Sequence, residues 1–151
     1  MDGGDAERTW LREPITSGDW AGWTVWGSDP FEHLAGPFYA RRGEDGQMVC
    51  AFRAEAKHMN GGGFMHGGCL LTFADYALFC IGDQVLSGVG SVTASLHGDF
   101  IEGAGVGELI EARGEVVRAG GSMVFIRGLI TTGDRTLMSF SGIVKKVRRR
   151  A

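Results

Sequence analysis

Cysteine is scarce in this 151-residue chain, with only Cys50, Cys69 and Cys80 present. Three is an odd count, and the spacing has no metal-site pattern. All three sit among apolar neighbours, which predicts buried free thiols in a reducing, cytoplasmic setting. Net charge is also small, at −3, which argues against general nucleic-acid binding. The chain lacks a long apolar run free of charge. The best candidate, residues 64–82, contains His66, Thr72 and Asp75, and charge at mid-span is costly in lipid. Strand-like segments on both sides favour a helix buried in protein, with no membrane partner. The first eight residues are polar and acidic, unlike a secretory signal. There is no internal repeat, low-complexity segment or domain linker. What remains is one domain large enough for a single core, with 44% hydrophobic and 22% charged residues, as in soluble globular chains.

The chain begins with an arm, residues 1–37, rich in tryptophan (Trp10, Trp20, Trp23, Trp26) but without periodicity. These rings are expected to pack the arm over the domain or a neighbouring subunit. Asp29-Pro30 predicts a short helix, capped by Asp29 with Pro30 at its first position. A main domain over 38–147 opens with two apolar-bearing runs, 38–42 and 48–54. Between them an Asp45-Gly46 turn signals a hairpin. One long helix is predicted over about 67–86. Strands at 92–97, 106–118, 123–131 and 137–147 then follow as a meander, leaving a basic tail at 148–151. The layout is α+β, one long helix on one antiparallel sheet.

The chemistry gathers where the loop meets that helix. Residues 58–68 hold five glycines, Asn60 and two histidines, and then an apolar run begins. A helix start offers unpaired N–H groups and a partial positive charge, suited to a developing negative charge. Glycines such as Gly63, Gly67 and Gly68 let a ligand approach the backbone closely. Inside the helix only Thr72 and Asp75 are distinctly polar, apart from the Tyr76 hydroxyl. A carboxylate on an apolar helix must be paired, hydrogen-bonded or neutral, because burying a bare charge is expensive. Asp75 is therefore either a catalytic carboxylate or a structural acceptor. Asn60 equally suits a loop residue bonded to its own backbone, and His66 a satisfied loop histidine. Cys69 and Cys80 lack an activating Cys–His arrangement and read as inert. His58, His66 and His97 have no ligand spacing for zinc, so no metal is implied.

The order Asn60, His66-Gly67-Gly68, Asp75 resembles the phenylacetate-pathway (PaaI-like) branch of the hotdog-fold acyl-CoA thioesterases, within the 4-hydroxybenzoyl-CoA thioesterase superfamily. The resemblance covers about 38–147. It implies a hotdog fold, in which the sheet wraps around the central helix, and hydrolysis of an acyl-CoA to an acid and free coenzyme A. No cofactor is implied beyond the coenzyme A of the substrate itself. The resemblance further implies that the Gly67 N–H, supported by Gly68, holds the thioester carbonyl oxygen. Asp75 would activate water or attack directly, and Asn60 would orient the water or the carbonyl. His66 would shape the loop, and Thr93 matches the place of a hydroxyl near the water.

Asp75 lies nine positions after His66, which along an α-helix is ~13 Å. A base and an oxyanion hole serving one carbonyl must be much closer. A two-fold dimer solves this by setting Asp75 of one subunit opposite Gly67 of the other, so a homodimer with shared sites is expected. The resemblance further implies that such dimers can pair into a homotetramer. Arg118 and the basic run 145–150 are the candidate cations for coenzyme A phosphates. Two other readings stand beside hydrolysis. One is a non-catalytic acyl-CoA sensor or carrier; the other is an acyl-CoA hydratase, whose Asn-Pro loop motif is not found here.

Overall fold

A computed structural model describes residues 11–148. Trp10, the acidic first residues and the tail from Arg149 onward lie outside the described residues.

The Asp45-Gly46 hairpin forms as expected. Strands β3 (Tyr39–Arg42) and β4 (Met48–Arg53) pair antiparallel with Cys50 opposite Ala40. Gly46, at φ +80°, supplies the left-handed residue that the turn needs. Successive residues of β4 serve opposite faces, as the two-residue period of a strand requires. Met48, Cys50 and Phe52 enter the main core, whereas Val49 and Ala51 pack with Trp23 and Trp20 in a second cluster. The tryptophan arm is thus the cover for the outer face of β4. Trp20 stacks on Tyr39 at 4.0 Å, and Trp26 meets Tyr76 edge-on at 5.0 Å. The arm also adds two short strands that its sequence did not announce, β1 (Arg12–Pro14) and β2 (Thr24–Trp26). At three residues each, they are too short to carry a periodic signal. The short helix α1 (Pro30–Ala35) has the expected cap, with the Glu32 N–H donating to Asp29 Oδ1 at 3.0 Å.

The long helix α2 spans Gly67–Ile81 and stops earlier than the predicted 67–86. Gly82 ends it, and a separate turn of helix, α3 (Asp83–Leu86), follows. The physical reason is a tight crossing. A Cβ at Gly82 would lie 2.9 Å from both Ile126 and Leu86 side chains. Asp83 then anchors α3 through Arg42 at 2.8 Å and Arg12 at 3.4 Å.

The sheet holds eight strands, all paired antiparallel, in the order β1-β2-β3-β4-β6-β7-β8-β5. Here β5 is Ser91–Phe100, β6 Leu109–Ala119, β7 Met123–Thr132 and β8 Arg135–Lys146. The four-strand meander is therefore corrected: only β6, β7 and β8 follow one another, and β5 lies beyond β8. Helix α2 crosses the sheet, touching β4 through β8, and carries the chain from β4 to the far edge. The place beside β4 is left to β6. Close crossing needs missing side chains beneath the helix. A Cβ at Gly142 would sit 2.5 Å from Leu78 Cδ1, and one at Gly114 would sit 2.9 Å from Ile81 Cδ1. Leu70, Phe73, Ala74, Tyr76, Ala77, Leu78 and Cys80 fill the space between helix and sheet. No helix among the described residues is long and apolar enough to cross a membrane.

Candidate active site

Asp75 is half-buried on α2 and opens into a cleft of about 430 Å³. Its Oδ1 accepts a hydrogen bond from Thr93 Oγ1 at 2.5 Å. That length is typical of a hydroxyl donating to a carboxylate. A bulge in β5 between Thr93 and Ser95 shifts the register against β8 at this point. Bulges re-aim side chains, and this one lies where Thr93 meets the helix. Of the residues singled out from sequence, Asp75, Thr93 and Thr72 share this cleft. The Thr72 hydroxyl is already engaged, donating to the Gly68 carbonyl at 2.8 Å. If this cleft carries the hydrolysis that the sequence resemblance implies, Thr93→Val is expected to lower kcat about tenfold or more, since a hydrogen bond to a charged group is worth ~1.5–3 kcal/mol. An unchanged melting temperature beside the lower rate would show that the loss is local.

The other residues gather at the start of α2. Asn60 Oδ1 accepts from the Gly62 and Phe64 N–H groups at 2.9 and 3.2 Å, holding its own loop. Its amide NH2 makes no hydrogen bond among the described residues. Gly63, at φ +82°, completes that loop. His66 is the helix N-cap, with Nδ1 accepting from the Gly68 N–H at 2.9 Å. The Gly68 N–H is thereby used within the chain. The Gly67 N–H has no partner among the described residues, so one donor at this helix start is free. Neither Asn60, His66 nor Gly67 lines the Asp75 cleft. Arg118 is exposed on β6 past a second bulge and does not line it either.

His58 and the cysteines have structural surroundings. His58 is buried, its Nδ1 accepts from the Glu55 N–H at 2.9 Å, and Nε2 faces the Ala35 carbonyl at 2.7 Å. A backbone N–H only donates and a carbonyl only accepts, so Nε2 carries the proton. Cys50 and Cys80 are buried; Cys69 is half-buried rather than fully so. Burial, only partly offset by Lys57, pushes the Cys69 thiol up to about 11. Among the described residues no group of three His, Cys, Asp or Glu side chains is placed to hold a metal ion.

Sequence reasoning passed over Glu32. Helix α1 brings it to the Asp75 cleft, together with Asp29 and Phe31. Desolvation, followed by repulsion from Asp29, Cys80 and Asp75, raises its carboxyl to about 8. Local pattern offered no signal, because Glu32 reads as an ordinary acidic residue in the first turn of a helix.

An antiparallel sheet laid on one long helix, with a glycine-rich loop opening that helix, defines a hotdog-type protein. The family model described as Thioesterase superfamily matches residues 62–139. A Pseudomonas aeruginosa protein named "Putative esterase PA0474" is 36% identical over 117 residues, covering 77% of this chain and 87% of that one. A solved mutant of the phenylacetic acid degradation protein PaaI from Thermus thermophilus superposes with TM-score 0.68 at 26% identity, over 79% of this chain and 100% of the other. A protein described as a hypothetical thioesterase and solved with coenzyme A, from Streptococcus pneumoniae, gives TM-score 0.65 at 21% identity, over 76% and 91%. The chain belongs to the thioesterase superfamily, and it is a thioester hydrolase.

Proposed function

We propose that this protein hydrolyses an acyl-CoA thioester to a carboxylic acid and free coenzyme A, with Asp75 as the reacting carboxylate. The observation that carries the reading is the Asp75–Thr93 pair, open to a cleft on a largely apolar helix. A carboxylate held by one hydroxyl keeps lone pairs for a water or a carbonyl carbon. It acts either as general base on the attacking water or as nucleophile, giving an anhydride that water then opens. The thiolate leaves as coenzyme A in both routes. The free Gly67 N–H, at the positive end of α2, stabilises the oxyanion. Asn60 orients the carbonyl or the water through its free amide donors, and His66 fixes the helix start. Coenzyme A as the thiol is supported by the relative solved with that molecule. No metal or redox cofactor enters the proposed reaction. Thiol release from short, medium, long and phenylacetyl-CoA tests the proposal. Tight binding of acyl-CoA without release would favour the sensor reading instead.

The site is proposed to be shared between two copies. Asp75 and Gly67 lie on the same helix, and the Asp75 cleft lacks Gly67, Asn60 and His66. Gly67→Pro removes the N–H at a position where helices accept proline. His66 already has the extended backbone, φ −65° and ψ 133°, that a following proline requires. Gly67→Pro and Asp75→Asn are each expected to be nearly inactive. After subunit exchange, the mixed dimer regains one intact site, so activity should return to roughly a quarter of wild type. No recovery after confirmed exchange would mean that each chain carries its own complete site.

A further inference from the structure

We propose that Glu32 selects the acyl group by donating a hydrogen bond to an oxygen acceptor on the chain, so that the site favours oxo-acyl thioesters over plain hydrocarbon ones. The inference rests on the thioester-hydrolase reading of the Asp75 cleft and names its substrate class. The cleft has two kinds of wall. Phe31, Leu71 and Leu96 are apolar, while Glu32 faces the same space as the Asp75–Thr93 pair. Asp75 has its hydroxyl partner, whereas the Glu32 carboxyl makes no hydrogen bond or ion pair among the described residues.

The backbone of α1, which carries Glu32, is also held in place. Asp29 caps its helix, His58 Nε2 donates to the Ala35 carbonyl, and Lys57 Nζ donates to the Gly36 carbonyl at 2.5 Å. A hydrocarbon chain filling the cleft would displace water from Glu32 and put nothing in its place. An unsatisfied polar group carries the full desolvation penalty, so an acyl group with a matching oxygen is favoured.

The protonation state decides which oxygen matches. Burial first, then Asp29 from the lead-in to α1, and Cys80 and Asp75 from α2, raise the Glu32 carboxyl to about 8. On β5 the facing group is the Thr93 hydroxyl, and on α2 the cleft also meets Tyr76, whose buried phenol is pushed well above its ordinary range by desolvation, so neither titrates in this range. At neutral pH Glu32 is thus an un-ionised acid with an O–H to donate. Above about pH 8 it becomes a carboxylate that only accepts, and it then repels a ketone oxygen.

The test compares kcat/KM for hexanoyl-CoA with that for oxohexanoyl-CoAs carrying the ketone at each later carbon. Wild type should prefer one oxo isomer by about tenfold at pH 7, and lose that preference between pH 7 and 9. Glu32→Gln keeps an N–H donor without the titration, so its preference should persist at both pH values. Glu32→Leu should erase the preference by improving hexanoyl-CoA turnover. A preference that survives Glu32→Leu, or a ratio near one in wild type at pH 7, overturns the role of Glu32 and leaves hydrolysis standing. Absence of thiol release from every thioester would instead overturn the hydrolase reading. The same pairs measured by calorimetry on Asp75→Asn, with and without Glu32→Leu, then decide the acyl preference independently of turnover. Equal affinities there, or no binding, overturn it.

Discussion

Asp75→Asn is expected to lower kcat for thioester hydrolysis by about 100-fold or more, with little change in fold. The substitution keeps the shape of the side chain, and its amide oxygen can still accept from Thr93 Oγ1. What it removes is the negative charge that, in the proposed reaction, takes a proton from water or attacks the thioester carbonyl. The free Gly67 N–H and the cleft itself remain, so under the proposed mechanism a residual rate is expected. KM should therefore move much less than kcat. Stopped-assay thiol release, with melting temperature as control, measures both. A rate within a few-fold of wild type would make Asp75 a structural acceptor and move the reaction elsewhere in the cleft.

Phe73→Ala is expected to destabilise the fold by ~3–5 kcal/mol, the range for deleting a large aromatic from a core. Phe73 is wholly buried, one turn of helix from Tyr76. Its ring meets Phe52 edge-on at 4.7 Å and Phe38 at 5.3 Å. It therefore links α2 to β4 and to the segment that follows α1. These aromatic neighbours are rigid and packed against one another, which limits how far the site can collapse. Urea unfolding, read as a shift of midpoint at constant slope, measures the cost. A loss below about 1 kcal/mol would mean that the aromatic cluster closes over the vacancy.

Much of this protein is legible where neighbouring residues carry the information. Asp29-Pro30 announces α1 because a cap and a first-turn proline act within one turn. Asp45-Gly46 announces the β3–β4 hairpin because the turn itself demands a positive φ. The glycine-rich loop, His66 and the apolar run mark the start of α2, and a lone carboxylate on that run draws attention to Asp75. Strand periods after the helix mark β5 to β8, though not their neighbours.

Pairing is a different matter, since a strand's period says which face is buried and nothing about which edge it joins. Only the crossing of α2 over the sheet puts β5 beyond β8 and brings Thr93 to Asp75. The end of α2 at Gly82 likewise depends on how close Ile126 and Leu86 come. The arm became two strands and a cover for β4 because an exposed sheet edge and the Val49–Ala51 face were there to receive it. Glu32 entered the cleft for the same reason: α1 docks through His58 and Lys57, residues far from it in the chain. Local sequence thus sets the elements and the motif at the helix start, through turn chemistry, capping and the spacing of apolar residues. The sheet order and the company Asp75 keeps come from tertiary packing, because they rest on contacts between distant segments that no local pattern encodes.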